Sequence, residues 1–117
     1  MKKILIIGCG GHSKVIVDII LNQGEFEIAG FIDNNLPIGS KILNYNVLGN
    51  EVKLKDLIIQ NHIYGGIVAI GDNFERSKVV GKLKKSCPEF NFVNCIHPKS
   101  TIALDVKLGE GNVFMAG

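Results

Sequence analysis

Apolar residues follow two rhythms over the first hundred positions and a third at the end. Residues 3 to 8, KILIIG, form a short run of Leu and β-branched side chains with little alternation, which predicts a β-strand covered on both faces. From His12 the apolar positions Val15, Ile16, Ile19 and Ile20 recur at steps of three and four, a helical spacing, and Gly24 closes the segment. Residues 26 to 33, FEIAGFID, predict a second strand ending in Asp33. Together these make a β-α-β unit of about thirty residues, the size of a right-handed parallel crossover.

The stretch NNLPIGSKILNYNVLGN is irregular, with Pro, Gly and Asn marking turns around one short strand at Asn46 to Leu48. A helix is expected near Leu54 to Gln60, then a buried strand in GGIVAIGDN, residues 65 to 73, ending in a Gly-Asp-Asn turn. Asn73 is placed to cap a helix running to about Ser86, with Val79, Val80 and Leu83 inward. FNFVNCIH, residues 90 to 97, reads as one more strand. This alternation predicts a small doubly wound α/β domain with a parallel sheet over residues 1–97.

From residue 98 to 117 the third rhythm takes over, with apolar residues at 102, 108 and 114. A six-residue period with small residues and Gly fits the hexapeptide pattern of a parallel β-helix, against the alternative of an irregular tail with chance spacing. So few repeats cannot bury a face by themselves, because solenoid coils stabilise one another by stacking. The chain also stops at Gly117 in mid-repeat, so the expectation is a truncated piece of something longer.

Composition narrows the classes. With 117 residues, 46% hydrophobic and 21% charged, the chain suits one compact domain with a real core. The net charge of +2 makes no electrostatic case for nucleic acid, and Lys82, Lys84 and Lys85 read as the solvated end of a helix. No apolar run approaches the ~20 residues of a membrane span, and the apolar part of MKKILIIG is too short for a signal peptide. Cys9, Cys87 and Cys95 form no CxxC pair and cannot all be bridged, so a reduced, cytoplasmic protein is expected. His12, His62 and His97 lack metal-ligand spacing, and no metal site is expected.

The candidate chemistry starts in GCGGHSK, which follows the first strand and opens the first helix. Gly8 and Gly10 fill two positions of the dinucleotide fingerprint GxGxxG, but the third falls on Ser13. Such a turn lets backbone N–H groups approach an anion at a helix N-terminus, and His12 adds a side-chain donor, so a phosphate or pyrophosphate is the natural ligand. Asp33, 25 residues after Gly8, stands where an acidic residue binds ribose hydroxyls, or else begins a turn with Asn34 and Asn35. Gly71, Asp72, Asn73 and Arg76 follow a later strand, at the edge where open α/β sheets bind ligands, and Arg76 has the reach for a bidentate phosphate contact or is a plain surface residue.

Taken together, IIGCGGHSKVIVDII, FIDNN, AIGDNFER and IHPKSTIALDVKLGEGNVFMAG resemble the N-terminal part of bacterial sugar acyltransferases of the sialic-acid O-acetyltransferase and UDP-amino-sugar N-acetyltransferase type. The resemblance implies a Rossmann-like domain that binds a nucleotide-linked sugar, UDP-linked in the first instance, followed by a left-handed β-helix that binds acetyl-CoA and makes trimers in surface-glycan biosynthesis. By the same resemblance Gly10, Gly11 and His12 contact the sugar nucleotide, Asp33 and Asn34 its nucleoside end, and Gly71, Asn73 and Arg76 line the crevice. The family's general base is a β-helix histidine, which would accept the proton lost in acyl transfer. That histidine falls beyond Gly117, so no catalytic residue is assigned, and the fragment is expected to be inactive and monomeric or weakly associated. The competing reading is an NAD(P)-binding oxidoreductase or redox-sensing module, against which Ser13 and the six-residue period both count.

Overall fold

The structure is a computed structural model, and it describes residues 1–8, 11–70, 73–93, 95–96 and 113–114. In chain order come β1 (Lys2–Ile7), α1 (Gly11–Gln23), β2 (Phe26–Ile32), β3 (Lys41–Ile42), β4 (Tyr45–Gly49), a single 3₁₀ turn (Glu51–Lys53), α2 (Leu54–Asn61), β5 (Gly65–Val68), α3 (Asn73–Ser86) and β6 (Asn91–Phe92). Six strands make one sheet in the order β3-β4-β2-β1-β5-β6, parallel throughout except for the antiparallel β3–β4 pair. From the central β1 the chain moves outward through β2 to β4, then returns to the other side of β1 with β5. This reversal puts a topological switch point between the ends of β1 and β5.

The apolar rhythm explains the layers. Along β1 the side chains alternate, so Ile4 and Ile6 join one core with Ile16, Val17, Ile19 and Ile20 of α1. Leu5 and Ile7 join a second core with Leu54 of α2 and Leu83 of α3. Both sheet faces are therefore covered, which is why β1 carries no polar residue from Ile4 to Ile7. Each fully buried Ile contributes roughly 1.5–3 kcal/mol of apolar transfer energy. The Gly65–Gly66 pair has a separate reason. A Cβ on Gly65 would collide with the Asn91 carbonyl, and one on Gly66 with the Leu5 carbonyl, so the glycines let β5 lie close between β6 and β1.

Three segments depart from the sequence expectation. The irregular stretch after Asp33 contains a hairpin: Lys41 pairs with Asn46 and Ile42 with Tyr45, and Leu43 and Asn44 turn the chain in left-handed conformations. The strand expected from Gly65 up to the turn at 71–73 ends at Val68. The strand expected over 90–97 is split. Asn91 and Phe92 pair with β5 and the Val93 N–H still reaches the Gly66 carbonyl at 3.0 Å. Cys95–Ile96 then forms β7, which pairs in parallel with β8 (Val113–Phe114) in a second, two-stranded sheet, and α1 lies against β7. The repeat positions 102 and 108 lie outside the described residues, while position 114 is in β8.

Cys87 is a buried free thiol, and Lys82, Lys84 and Lys85 are exposed on α3, the solvated helix end expected of them. Among the described residues no helix is long and apolar enough to cross a membrane, and no group of His, Cys, Asp or Glu gathers as a metal site.

Candidate functional site at the carboxyl edge of the sheet

Register fixes where the candidate residues meet. Ile7 at the end of β1 pairs with Ile32 at the end of β2 and with Val68 at the end of β5, and Ile32 pairs with Gly49 at the end of β4. All four parallel strands thus finish at one level, and the segments that follow them share one edge of the sheet. This is the edge where open parallel sheets bind ligands.

After β1 the chain turns through Gly8, whose φ of +100° a side chain would strain. The Gly8 N–H is already used, donating to the Ile32 carbonyl at 2.7 Å. Amides for a ligand must therefore come from further along. Gly11, His12 and Ser13 form the first turn of α1, where backbone N–H groups have no partner within the helix. No acidic residue occupies that turn, so no carboxylate of the helix competes for the positive end of its dipole. Ser13 is only 2% exposed. It occupies the fingerprint position where a small residue allows close helix–strand packing, so a serine meets the packing requirement that glycine or alanine usually meets.

After β2 two side chains are committed to the backbone. Asp33 Oδ1 accepts the N–H groups of Asn35 at 2.8 Å and Leu36 at 3.0 Å, so the turn reading of Asp33 holds. Its own N–H donates to the Gly49 carbonyl at 3.0 Å. Asn34 Oδ1 accepts the Glu51 N–H at 3.0 Å, a link across 17 residues that joins the β2 turn to the segment after β4. Nothing in the local sequence pattern announced this link; an Asn beside a strand end is only a turn signal.

On the other side of β1, Asn73 opens α3 and Arg76 lies in its first turn, half-buried and three, four and seven positions before Val79, Val80 and Leu83. Gly10 and Gly71 lie outside the described residues, as does Asp72. The sheet order separates Asp33 and Asn34 from Asn73 and Arg76 by the width of β1, about 10 Å between the ends of β2 and β5. The two groups therefore follow strands on opposite sides of β1. A groove of about 500 Å³ between Ile58, Tyr64, Cys87 and Phe90 lies at the opposite, amino edge, away from all of these residues.

A central parallel sheet with helices on both faces, a glycine turn into the first helix and an acidic residue after the second strand define a Rossmann-like α/β domain. The chain belongs to the family of the PglD N-terminal domain, whose model matches residues 3–83. It is 29% identical to the UDP-N-acetylbacillosamine N-acetyltransferase of Bacillus subtilis (strain 168), over 99% of this chain and 52% of that protein. Among solved structures it is similar to perosamine N-acetyltransferase (PerB) from Caulobacter crescentus in complex with CoA and GDP-perosamine, with 34% identity, a TM-score of 0.86, and coverage of 100% of this chain and 53% of that one. It is also similar to the acetyltransferase domain of PglB from Neisseria gonorrhoeae FA1090 in complex with acetyl coenzyme A, with 28% identity, a TM-score of 0.81, and coverage of 98% and 53%. The chain thus spans about half the length of these relatives. A Rex-family repressor aligns with a TM-score of 0.62 at 21% identity, which is a likeness of fold alone. The oxidoreductase or redox-sensor reading is accordingly the weaker one.

Proposed function

We propose that this chain binds a nucleotide-linked amino sugar, as the N-terminal part of an acetyl-CoA-dependent sugar N-acetyltransferase. The observation that carries the reading is the first turn of α1, the positive end of its dipole, standing at the shared carboxyl edge of β1, β2 and β5. The relatives support the substrate class, since one acts on UDP-N-acetylbacillosamine by its name and another was solved with GDP-perosamine.

In this reading the chain binds and orients. The amides of Gly11 and His12, with Gly10, take the pyrophosphate, where the helix dipole favours negative charge. Asp33 takes ribose hydroxyls and Asn34 the base. Gly71, Asn73 and Arg76 line the crevice toward the sugar, Arg76 with a guanidinium suited to phosphate oxygens. Acetyl-CoA supplies the acyl group in the whole protein, and no residue of this chain is assigned to it. Cys95 lies opposite Val113 and Ile96 opposite Phe114, an offset of 18 residues or three six-residue repeats. This spacing supports a β-helix in which one coil takes three repeats, beginning at Cys95 rather than after residue 97. The whole protein is then a homotrimer assembled through that coil, acting in the cytoplasm in surface-glycan synthesis.

Calorimetric titration of the 117-residue chain with a UDP-linked 4-amino sugar and, separately, with NADH tests the reading. Binding of the sugar nucleotide without binding of NADH is the expected result; NADH binding alone would overturn it. Incubated with both a sugar nucleotide and acetyl-CoA, the chain is expected to transfer no acetyl group.

A further inference from the structure

The hydrogen bond between Glu51 and Asn34 has a consequence for which nucleotides this edge accepts. Asn34 is exposed, directly after Asp33, and its side chain accepts the Glu51 N–H at 3.0 Å. Only the carboxamide oxygen can accept an N–H, so this bond decides which way the amide faces. The other end of Asn34, Nδ2, then presents two donors and no acceptor.

The anchor is itself fixed. Glu51 opens the 3₁₀ turn, and Asn50 caps that turn by accepting the Lys53 N–H at 3.3 Å. The ends of β2 and β4 are tied together by the Asp33 N–H to the Gly49 carbonyl. A freely rotating asparagine meets an acceptor or a donor equally well by turning its amide over. A pinned one does not.

We propose that Asn34, positioned by the backbone N–H of Glu51, selects nucleotides whose base carries a keto oxygen at pyrimidine C4 or purine C6. The inference rests on the nucleotide-sugar reading above. Asp33 stands where this class of fold holds the ribose. Asn34 follows directly and is exposed, and in this inference it meets the exocyclic group of the base. Uracil O4 and guanine O6 accept a hydrogen bond there, whereas the amino groups of cytosine and adenine can only donate. Facing two donors against each other leaves both unsatisfied, and the expected discrimination is about tenfold in Kd.

The test is calorimetric binding of UDP, GDP, CDP and ADP to the 117-residue chain and to two variants. The unaltered chain is expected to bind UDP and GDP about tenfold more tightly than CDP and ADP. Asn34→Ala should level the four affinities. Glu51→Pro should do the same by removing the N–H that pins the amide. Asn50 is extended, with φ −111° and ψ −179°, as a residue before proline must be, and the first position of a helical turn tolerates proline. Thermal unfolding checks that each variant is folded; should Glu51→Pro fail that check, Asn34→Ala decides. Equal binding of all four nucleotides by the unaltered chain would sink the inference and leave the nucleotide reading standing, as would a preference that survives Asn34→Ala. A preference lost in Asn34→Ala but kept in Glu51→Pro would overturn the positioning role of Glu51. If none of the four binds, the nucleotide reading fails and takes this inference with it.

Discussion

Two neighbouring strands end at the same edge of the same sheet in turns built on opposite principles. β1 ends at Gly8, where the turn depends on the absence of a side chain: φ is +100°, and a Cβ would lie 3.2 Å from Ile70 Cγ1 and 3.3 Å from the Ala69 carbonyl oxygen. β2 ends at Asp33 and Asn34, where the turn is made by side chains that accept three backbone N–H groups. The contrast separates two tasks. In the proposed function, backbone amides of the first turn of α1 take negative charge and treat every pyrophosphate alike. Side chains after β2 carry direction and donor–acceptor character, so the proposed selectivity among nucleotides is placed there.

The largest effect is expected where the comparison is most asymmetric. Gly8→Ala puts a methyl group into a left-handed turn between Ala69 and Ile70, and strain of this kind costs about 1–3 kcal/mol. Relief by turning the backbone would swing the amides of the first turn of α1 away from their present direction. Urea denaturation should show the lost stability, and UDP binding should weaken at least about tenfold, the equivalent of 1.4 kcal/mol. A Gly8→Ala chain that loses stability but binds UDP unchanged would mean that the amides after β1 are not the phosphate site.

A smaller effect is expected at Asp33, and two substitutions divide it. Asp33→Ala removes the acceptor for Asn35 and Leu36; because the turn is exposed, water replaces much of the loss, and the cost is about 1 kcal/mol. Asp33→Asn keeps an oxygen in the same place and should stay within about 0.5 kcal/mol of the unaltered chain, in line with the preference of turns for either residue. Both should weaken UDP binding if the carboxylate takes the ribose hydroxyls. Should Asp33→Asn bind UDP as before, Asp33 serves the turn only, and the ligand role passes to Asn34.

The parts of the molecule that sequence made legible are those where pattern is local. Val15, Ile16, Ile19 and Ile20 marked the buried face of α1 because a helix brings positions three and four apart onto one side. The end of β2 at Asp33 and the start of α3 at Asn73 were visible for similar reasons. What stayed hidden depends on distance or on an unusual residue. The β3–β4 hairpin turns at Leu43 and Asn44, with φ of 51° and 71°, and that turn has no glycine to advertise it. FNFVNCIH looks like one strand because Phe92 and Ile96 are equally apolar, although they belong to different sheets. Ser13 departs from the fingerprint in letter while keeping the small buried residue that the packing needs. The Asn34–Glu51 bond spans residues whose neighbourhood is created only by β2 and β4 lying side by side.

The smallest effect isolates one half of what Gly8 does. Gly8 combines a left-handed φ with close neighbours, so Gly8→Ala cannot divide conformational strain from crowding. His62 has the left-handed conformation in an exposed place: it ends α2 with φ 54° and ψ 48°, its N–H donates to the Ile58 carbonyl, and the Ile63 N–H follows to the same oxygen at 3.0 Å. Glycine is the residue that adopts this helix-ending conformation without a Cβ penalty. Left-handed geometry costs a non-glycine residue roughly 1–2 kcal/mol, and the extra freedom glycine has when unfolded takes back part of that. His62→Gly should therefore stabilise the fold by about 0.5–1 kcal/mol, seen as a higher urea midpoint with an unchanged slope. His62 sits before β5, at the amino edge, so UDP affinity should not move. A gain at His62 sets a lower bound on the backbone-strain share of the Gly8→Ala loss, because φ +100° lies outside the left-handed well that His62 occupies. No gain would show that φ 54° costs His62 little and would leave Gly8, at φ +100°, strained on its own account.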